Sequence, residues 1–166
     1  LYNITVSYAV VLEENPNASF NLTLDVNAVI AQNNINLDDT GKGAAIADGT
    51  YGDFTISGNA KRANSSTVSI EINKPGNGGK IAFSVTQAST ITLEWSSTGG
   101  NKTSDMGLYK ADGTLVGTAY SVLGSSATAL EIAVPEAGDY YLATPSDSAN
   151  SNRGFRLYSL SIAPVT

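Results

Sequence analysis

Histidine and cysteine are both absent from this chain of 166 residues. Without histidine, the chain lacks the most common general base of enzymes and the most common protein ligand of transition metals. Without cysteine, it has neither disulfide bonds nor a thiolate that could act as a nucleophile. These two absences argue against a catalytic centre or a transition-metal site of the usual kinds.

Charged residues are also scarce, at 14% of the chain against roughly 25% in an average globular protein. The net charge is −6, so we expect no nucleic-acid partner, because nucleic acids are bound by basic surfaces. No run of about 18 apolar residues is present, and we expect no membrane partner. A polar, weakly charged surface is common outside the cell. It predicts a secreted, extracellular protein, although no signal peptide is visible.

What the chain does contain is short apolar–polar alternation along its whole length. Segments rich in Val, Ile, Thr and Tyr are separated by clusters of Gly, Asn, Asp and Ser, a pattern that predicts β-strands. The predicted strands cover residues 2–12, 20–26, 53–58, 67–72, 80–85, 89–96, 129–134, 139–144 and 154–162. A hairpin over 106–116 is predicted to turn at Asp112–Gly113. Residues 27–32 are compatible with a helical turn.

About eight to ten antiparallel strands at this spacing predict an all-β fold, a β-sandwich of the jelly-roll or Greek-key type. We expect residues 51–166 to form the sandwich. Residues 1–50 supply either extra strands of the same sandwich or the tail of a preceding module. The segment PEAGDY (135–140) resembles a tyrosine corner, which predicts that Tyr140 and Leu142 point inward and Tyr141 points to solvent.

Five segments resemble the β-sandwich modules attached to bacterial pectate lyases and other plant-wall-degrading enzymes. They are GDFTISG (52–58), GGKIAFSVTQASTITLEW (78–95), LYKADGTLVG (108–117), LEIAVPEAGDYYLAT (130–144) and GFRLYSLSI (154–162). The pectin-binding carbohydrate-binding modules of family 77 are similar to this type. The resemblance implies a module that binds a plant cell-wall polysaccharide and keeps a covalently linked catalytic module near its substrate. We expect it to be a monomer.

Proteins bind neutral glycans chiefly through exposed aromatic rings, and anionic glycans chiefly through Lys and Arg, which pair with uronate carboxylates. The only tryptophan, Trp95, shares a strand face with Ile91 and Leu93, which predicts a core position. The better exposed aromatic candidates are Tyr51, Tyr109, Tyr120 and Tyr141, although an ordinary amphipathic position at the rim is the more common reason for such a tyrosine.

The basic residues lie mostly near predicted loops. We select as carbohydrate-binding residues Lys61, Arg62, Lys80, Lys102, Lys110, Tyr120 and Arg153. The preferred ligand is pectin or another uronate-rich glycan, held by charge-assisted hydrogen bonds. Any one of these basic residues could instead be a plain solvated charge. Because the net charge is negative, binding a polyanion requires several of them to cluster.

Two other functions stay open. The chain could be an Ig-like structural or adhesive spacer of a bacterial surface or cellulosomal protein, with the same strands but no clustered site. A small hydrolase or lyase would need a pair of facing carboxylates or a positioned base, and no motif for either is present, so we expect no enzyme activity. No cofactor is expected. Asp38–Asp39 and Asp48/Asp53 are candidate ligands for a structural Ca²⁺, without EF-hand spacing.

Overall fold

The computed structural model describes residues 21–166, and the strand predicted over residues 2–12 lies outside this range. One α-helix, α1, covers Val26–Gln32. Twelve strands are present in the described residues: β1 Leu22–Leu24, β2 Gly49–Tyr51, β3 Phe54–Ser57, β4 Lys61–Arg62, β5 Ile70–Ile72, β6 Lys80–Val85, β7 Ser89–Ser96, β8 Thr103–Lys110, β9 Tyr120–Leu123, β10 Thr128–Val134, β11 Gly138–Ala143 and β12 Phe155–Pro164.

The strands form two antiparallel sheets. Sheet A has the order β10-β7-β12-β5-β4, and β1 also pairs with β12. Sheet B has the order β2-β3-β6-β11-β8-β9. The apolar faces of the two sheets contribute to one hydrophobic core, because each sheet must cover its apolar face against another layer. The predicted all-β sandwich is therefore confirmed.

Alternation along the strands decides which side chains enter the core. On β7, Ile91, Leu93 and Trp95 are buried, whereas Thr92 and Glu94 are exposed. The Trp95 ring meets the Phe155 ring edge-on, with centroids 6.0 Å apart and an interplanar angle of 81°, a favourable aromatic arrangement. The prediction that Trp95 is a core residue is confirmed.

The helix α1 forms where the sequence left a helical turn open. The side chain of Asp25 accepts a hydrogen bond from the backbone N–H of Ala28 at 3.0 Å and so caps the first turn. Val26, Val29 and Ile30 recur at helical spacing, and all three are buried in the same core as the strands. The described part of the first 50 residues therefore packs onto the sandwich. No helix within residues 21–166 is long and apolar enough to cross a membrane.

Two predicted local motifs shape sheet B. The Tyr140 hydroxyl donates to the backbone carbonyl of Glu136 at 2.9 Å, the hydrogen bond of a tyrosine corner. Tyr140 and Leu142 are buried and Tyr141 is half-buried on the opposite face, as predicted. The predicted turn at Asp112–Gly113 is closed by the Gly113 N–H, which donates to the Lys110 carbonyl at 2.8 Å. Gly113 has a φ of +91°, a conformation that favours glycine.

Candidate functional site

Two tyrosines stand side by side on the outer face of sheet B. Tyr141 of β11 lies directly opposite Tyr109 of β8 on one side and Ala82 of β6 on the other. Successive side chains of a strand point to opposite faces, so Tyr141 faces outward while its neighbour Tyr140 faces the core. The two outward rings stack with centroids 5.1 Å apart and an interplanar angle of 13°. We call Tyr109 and Tyr141 the tyrosine pair.

The tyrosine pair lines an open groove of about 310 Å³. One wall comes from the connection between β5 and β6, and another from the residues that follow β11. We call this the tyrosine groove, and its lining residues are Pro75, Gly78, Gly79, Lys80, Tyr109, Gly113, Tyr141, Ala143, Thr144 and Ser146. It combines an aromatic surface with hydroxyl groups and one cation, a composition typical of a site that binds a small molecule.

Glycine at position 107 allows the Tyr109 ring to take this position. Gly107 lies opposite Ala143 in the next row of the sheet. A Cβ atom at Gly107 would lie 2.9 Å from Cε2 of Tyr109 and 2.8 Å from Cδ1 of Leu115, closer than real side chains approach. The Tyr109 ring therefore occupies space that a side chain at position 107 would need.

A single cation borders the tyrosine pair. The Nζ atom of Lys80 lies 5.2 Å from the centroid of the Tyr141 ring, within the range of a cation–π contact. The strand order places Lys80 on one side of Tyr141 and Tyr109 on the other. Lys80 is exposed and makes no ion pair with any of the residues 21–166. Its charge is therefore available to a bound anion.

The Tyr109 phenol is held in its protonated form. Burial raises its pKa above the ordinary value of 10.0, and the nearby Asp147 carboxylate and Tyr141 raise it further. At neutral pH the hydroxyl is therefore intact and can both donate and accept a hydrogen bond.

The segment that follows β11 is fastened to sheet B by Asp105 on β8. The Asp105 carboxylate accepts hydrogen bonds from the hydroxyls of Ser121 and Ser148 and from the side-chain amide of Asn150, the last at 3.0 Å. Burial is the largest single influence and raises the pKa of Asp105, but the hydrogen bonds and nearby Arg153 together outweigh it and hold the pKa below 3.8. We call this carboxylate and its three donors the Asp105 latch. It holds the segment that brings Thr144 and Ser146 to the groove.

Of the seven residues predicted to bind carbohydrate, only Lys80 lines the tyrosine groove. The prediction for Arg62 is corrected, because its side chain is fully buried. Its guanidinium donates to the backbone carbonyl of Leu37 at 2.9 Å. It also donates to the carbonyls of Ala63 and Ser65, which follow β4, each at 3.4 Å. Arg62 therefore supports the fold, and it is not part of the groove lining.

Two of the predicted lysines are already paired with carboxylates. On sheet A, Nζ of Lys61 lies 3.6 Å from Oε1 of Glu71. Beside the tyrosine corner, Nζ of Lys110 lies 2.9 Å from Oε1 of Glu136. Neither residue is among those that line the groove. Because these pairs lie on different sheets, they do not form the clustered basic patch that the prediction required.

The remaining three predicted residues also lie outside the groove lining. Lys102 is exposed in the connection between β7 and β8. Arg153 donates to the carbonyl of Thr103 at 2.8 Å and to Asn150 Oδ1 at 3.1 Å, so it supports the Asp105 latch. Tyr120 is half-buried and packs against the core. Among the other tyrosine candidates, Tyr51 is buried and donates to the Ala47 carbonyl at 2.6 Å.

Three of the four carboxylates considered as Ca²⁺ ligands make hydrogen bonds or ion pairs within the protein. Asp38 accepts from the backbone N–H of Thr40 at 3.0 Å, and Asp39 pairs with Lys42 at 3.0 Å. Asp48 accepts from the backbone N–H of Asn59 at 3.4 Å. In the described part of the chain, no group of three or more His, Cys, Asp or Glu side chains is placed to hold a metal ion.

No protein-family model and no curated protein matches this sequence. Similar solved structures include the CBM36-1 domain of a multidomain xylanase from the hindgut metagenome of Trinervitermes trinervoides, at 9% identity and a TM-score of 0.46, with 89% of this chain and 98% of that chain covered. The CBM22-1 xylan-binding domain of Xyn10C from Paenibacillus barcinonensis has 13% identity and a TM-score of 0.44, covering 74% and 94%.

A family two carbohydrate esterase from Cellvibrio japonicus has 15% identity and a TM-score of 0.41, with 89% of this chain and 34% of that chain covered. At these levels of similarity, what the chain binds has to be argued from its own residues. Those residues define an all-β sandwich with an aromatic groove on the outer face of one sheet.

Proposed function

We propose that this protein is a non-catalytic carbohydrate-binding module that holds a stretch of plant cell-wall polysaccharide in the tyrosine groove. The observation that carries the proposal is the stacked, half-buried pair of Tyr109 and Tyr141 in an open groove. A sugar ring has an apolar face of C–H groups and a rim of hydroxyls. Aromatic rings with hydroxyls at their tips match both parts. That the polysaccharide comes from a plant wall is supported by the sequence resemblance.

The charges near the groove narrow the choice of polysaccharide. Lys80 is the one cation among the groove residues, and the Asp147 carboxylate lies close enough to affect Tyr109. A chain of consecutive uronates would bring many carboxylates to a protein of net charge −6 with one lysine to receive them. We therefore favour pectin that is largely esterified, or another glycan with sparse uronates. In either case Lys80 pairs with one carboxylate by a charge-assisted hydrogen bond.

In this role the protein acts outside the cell. It keeps a covalently linked polysaccharide-degrading module near its substrate and needs no catalytic groups of its own. This part of the proposal is supported by the sequence composition and resemblance.

Affinity electrophoresis tests the proposal directly. The gels contain highly esterified pectin, de-esterified pectin, xylan, β-glucan or no polysaccharide, each at low and high salt. Tyr141→Ala is compared with Tyr158→Ala, which removes a half-buried tyrosine from β12 in sheet A. Lys80→Ala is compared with Lys102→Ala, which makes the same change of charge at an exposed position outside the groove lining. Thermal unfolding of each variant identifies those whose fold is affected.

We expect retardation by highly esterified pectin, with a loss of at least about tenfold in affinity for Tyr141→Ala, because both the stacked pair and its apolar area are removed. Lys80→Ala should weaken binding by about two- to fivefold and remove its salt dependence, as for an exposed ion pair. If the protein binds a neutral glycan and Lys80→Ala does not change that affinity, the tyrosine groove remains the proposed site, but the proposal that it binds a uronate is overturned. No retardation by any gel would favour the structural spacer, and equal losses of affinity for Tyr141→Ala and Tyr158→Ala would place the binding site outside the tyrosine groove.

A further inference from the structure

One residue of the groove lining has a buried hydroxyl with no hydrogen-bond partner among the described residues. Thr144 follows β11 directly and lines the groove beside Ala143. The residue is 2% exposed, and its Oγ1 atom has no hydrogen-bond partner among the described residues. Buried polar side-chain atoms in folded proteins are nearly always paired, since an unpaired one lowers stability. An exception at this position requires an explanation.

The other unpaired buried atoms in residues 21–166 have different settings. Two are Nε atoms of Arg62 and Arg156, whose guanidinium groups make hydrogen bonds through other nitrogens. The third is Oγ of Ser69, which is fully buried and is not part of the groove lining. Thr144 is therefore the one groove residue of this kind in the described chain.

We propose that the Thr144 hydroxyl is a ligand-binding group of the tyrosine groove, whose missing partner is an oxygen atom of the bound sugar. The inference rests on the proposed function and adds a residue that determines specificity. A threonine hydroxyl both donates and accepts, and rotation about χ1 reaches three staggered positions. A sugar hydroxyl next to the tyrosine pair completes the hydrogen bond, whereas a sugar without an oxygen there leaves Thr144 unpaired. A sugar that supplies this oxygen therefore gains one hydrogen bond over a sugar that lacks it, a preference of about 2- to 12-fold.

Removal of the hydroxyl should separate stability from binding. Thr144→Val keeps the branched shape, and Thr144→Ser restores a hydroxyl on a smaller side chain. We expect Thr144→Val to unfold at the same temperature as the wild type or higher, because an unpaired buried hydroxyl is gone. Its affinity in the pectin or xylan gel that retards the wild type should fall about 2- to 12-fold, the loss typical of one hydrogen bond. Thr144→Ser should bind within about twofold of the wild type.

Ser69→Ala is the matched control, since it removes the other unpaired hydroxyl and should change stability in the same direction without changing affinity. If Thr144→Val does not fold, the comparison of Thr144→Ala with Thr144→Ser makes the same test. Wild-type affinity in Thr144→Val, together with a loss in Tyr141→Ala, would overturn the inference and leave the groove in place. A marked loss of stability in Thr144→Val would also overturn it, because the hydroxyl would then be paired in the free protein. If no gel retards the wild type, both the inference and the proposed function are overturned.

Discussion

Replacing Asp105 by asparagine tests whether the Asp105 latch holds the segment after β11 in place. The carboxylate accepts from Ser121, Ser148 and Asn150. An asparagine keeps one acceptor oxygen but turns an NH₂ group toward groups that donate. One hydrogen bond to a charged group contributes about 1.5–3 kcal/mol to stability. Because Asp105 is half-buried and partly screened by solvent, we expect a loss of about 1–2 kcal/mol.

The effect should depend on pH in a defined direction. The pKa of Asp105 in the folded protein is held below 3.8, so the unfolded chain takes up a proton at higher pH than the folded one. The stabilisation is therefore complete above the ordinary pKa and disappears as the pH falls through the lower folded value. The difference in unfolding free energy between wild type and Asp105→Asn should be constant near neutral pH and should shrink below about pH 3.8.

Urea unfolding at several pH values measures this difference, and thermal unfolding should show a decrease of about 2–8 °C for a domain of this size. The control is Glu131→Gln, which makes the same charge change on an exposed residue of β10. A difference within about 0.5 kcal/mol of the control at neutral pH, or one that grows on acidification, would refute the latch. We also expect Asp105→Asn to bind polysaccharide with lower affinity, because the segment after β11 that Asp105 holds forms one wall of the groove.

Two further variants test the fold around the site. Tyr140→Phe removes the hydroxyl that bonds the Glu136 carbonyl and should lower the unfolding free energy by about 1 kcal/mol in a urea titration, so an unchanged midpoint would show that the corner hydrogen bond is unimportant. Arg62→Ala leaves a cavity and removes the donor to the carbonyls of Leu37, Ala63 and Ser65, and a loss of about 3 kcal/mol in unfolding free energy is expected. If Arg62 instead binds a polysaccharide, this variant would lose affinity while keeping wild-type stability.

The strands with the clearest alternation could be predicted from the sequence almost to the residue. Residues 80–85 and 89–96 were expected as strands, and both coincide with β6 and β7. The short strands β2, β4 and β9 were missed. Each lies at the edge of its sheet and has two to four residues. Pairing at such positions depends on the neighbouring strand more than on local propensity.

The candidate site was less predictable, because its residues meet only through long-range pairing. Alternation assigned Tyr141 to the outer face. That Tyr109 lies beside it, however, is decided by the register of β11 against β8. Lys61 and Arg62 look alike in sequence, yet adjacent residues of a strand face opposite ways, so one points outward and the other into the core. The backbone carbonyls that receive Arg62 come from separate connections and leave no local pattern.

The central position of β12 affects how the protein is made. This strand is the longest in the described fold and the last along it, and it lies between β7 on one side and β5 with β1 on the other. Until its residues have left the ribosome, sheet A consists of the pairs β10-β7 and β5-β4 and the single strand β1, and their open edges can pair with other chains. Sheet A can therefore be completed only after residues 155–164 have emerged, and pairing between strands far apart in sequence is a slow kind of contact to form. A chain truncated before residue 155 would be prone to aggregation, although it would contain both tyrosines of the pair.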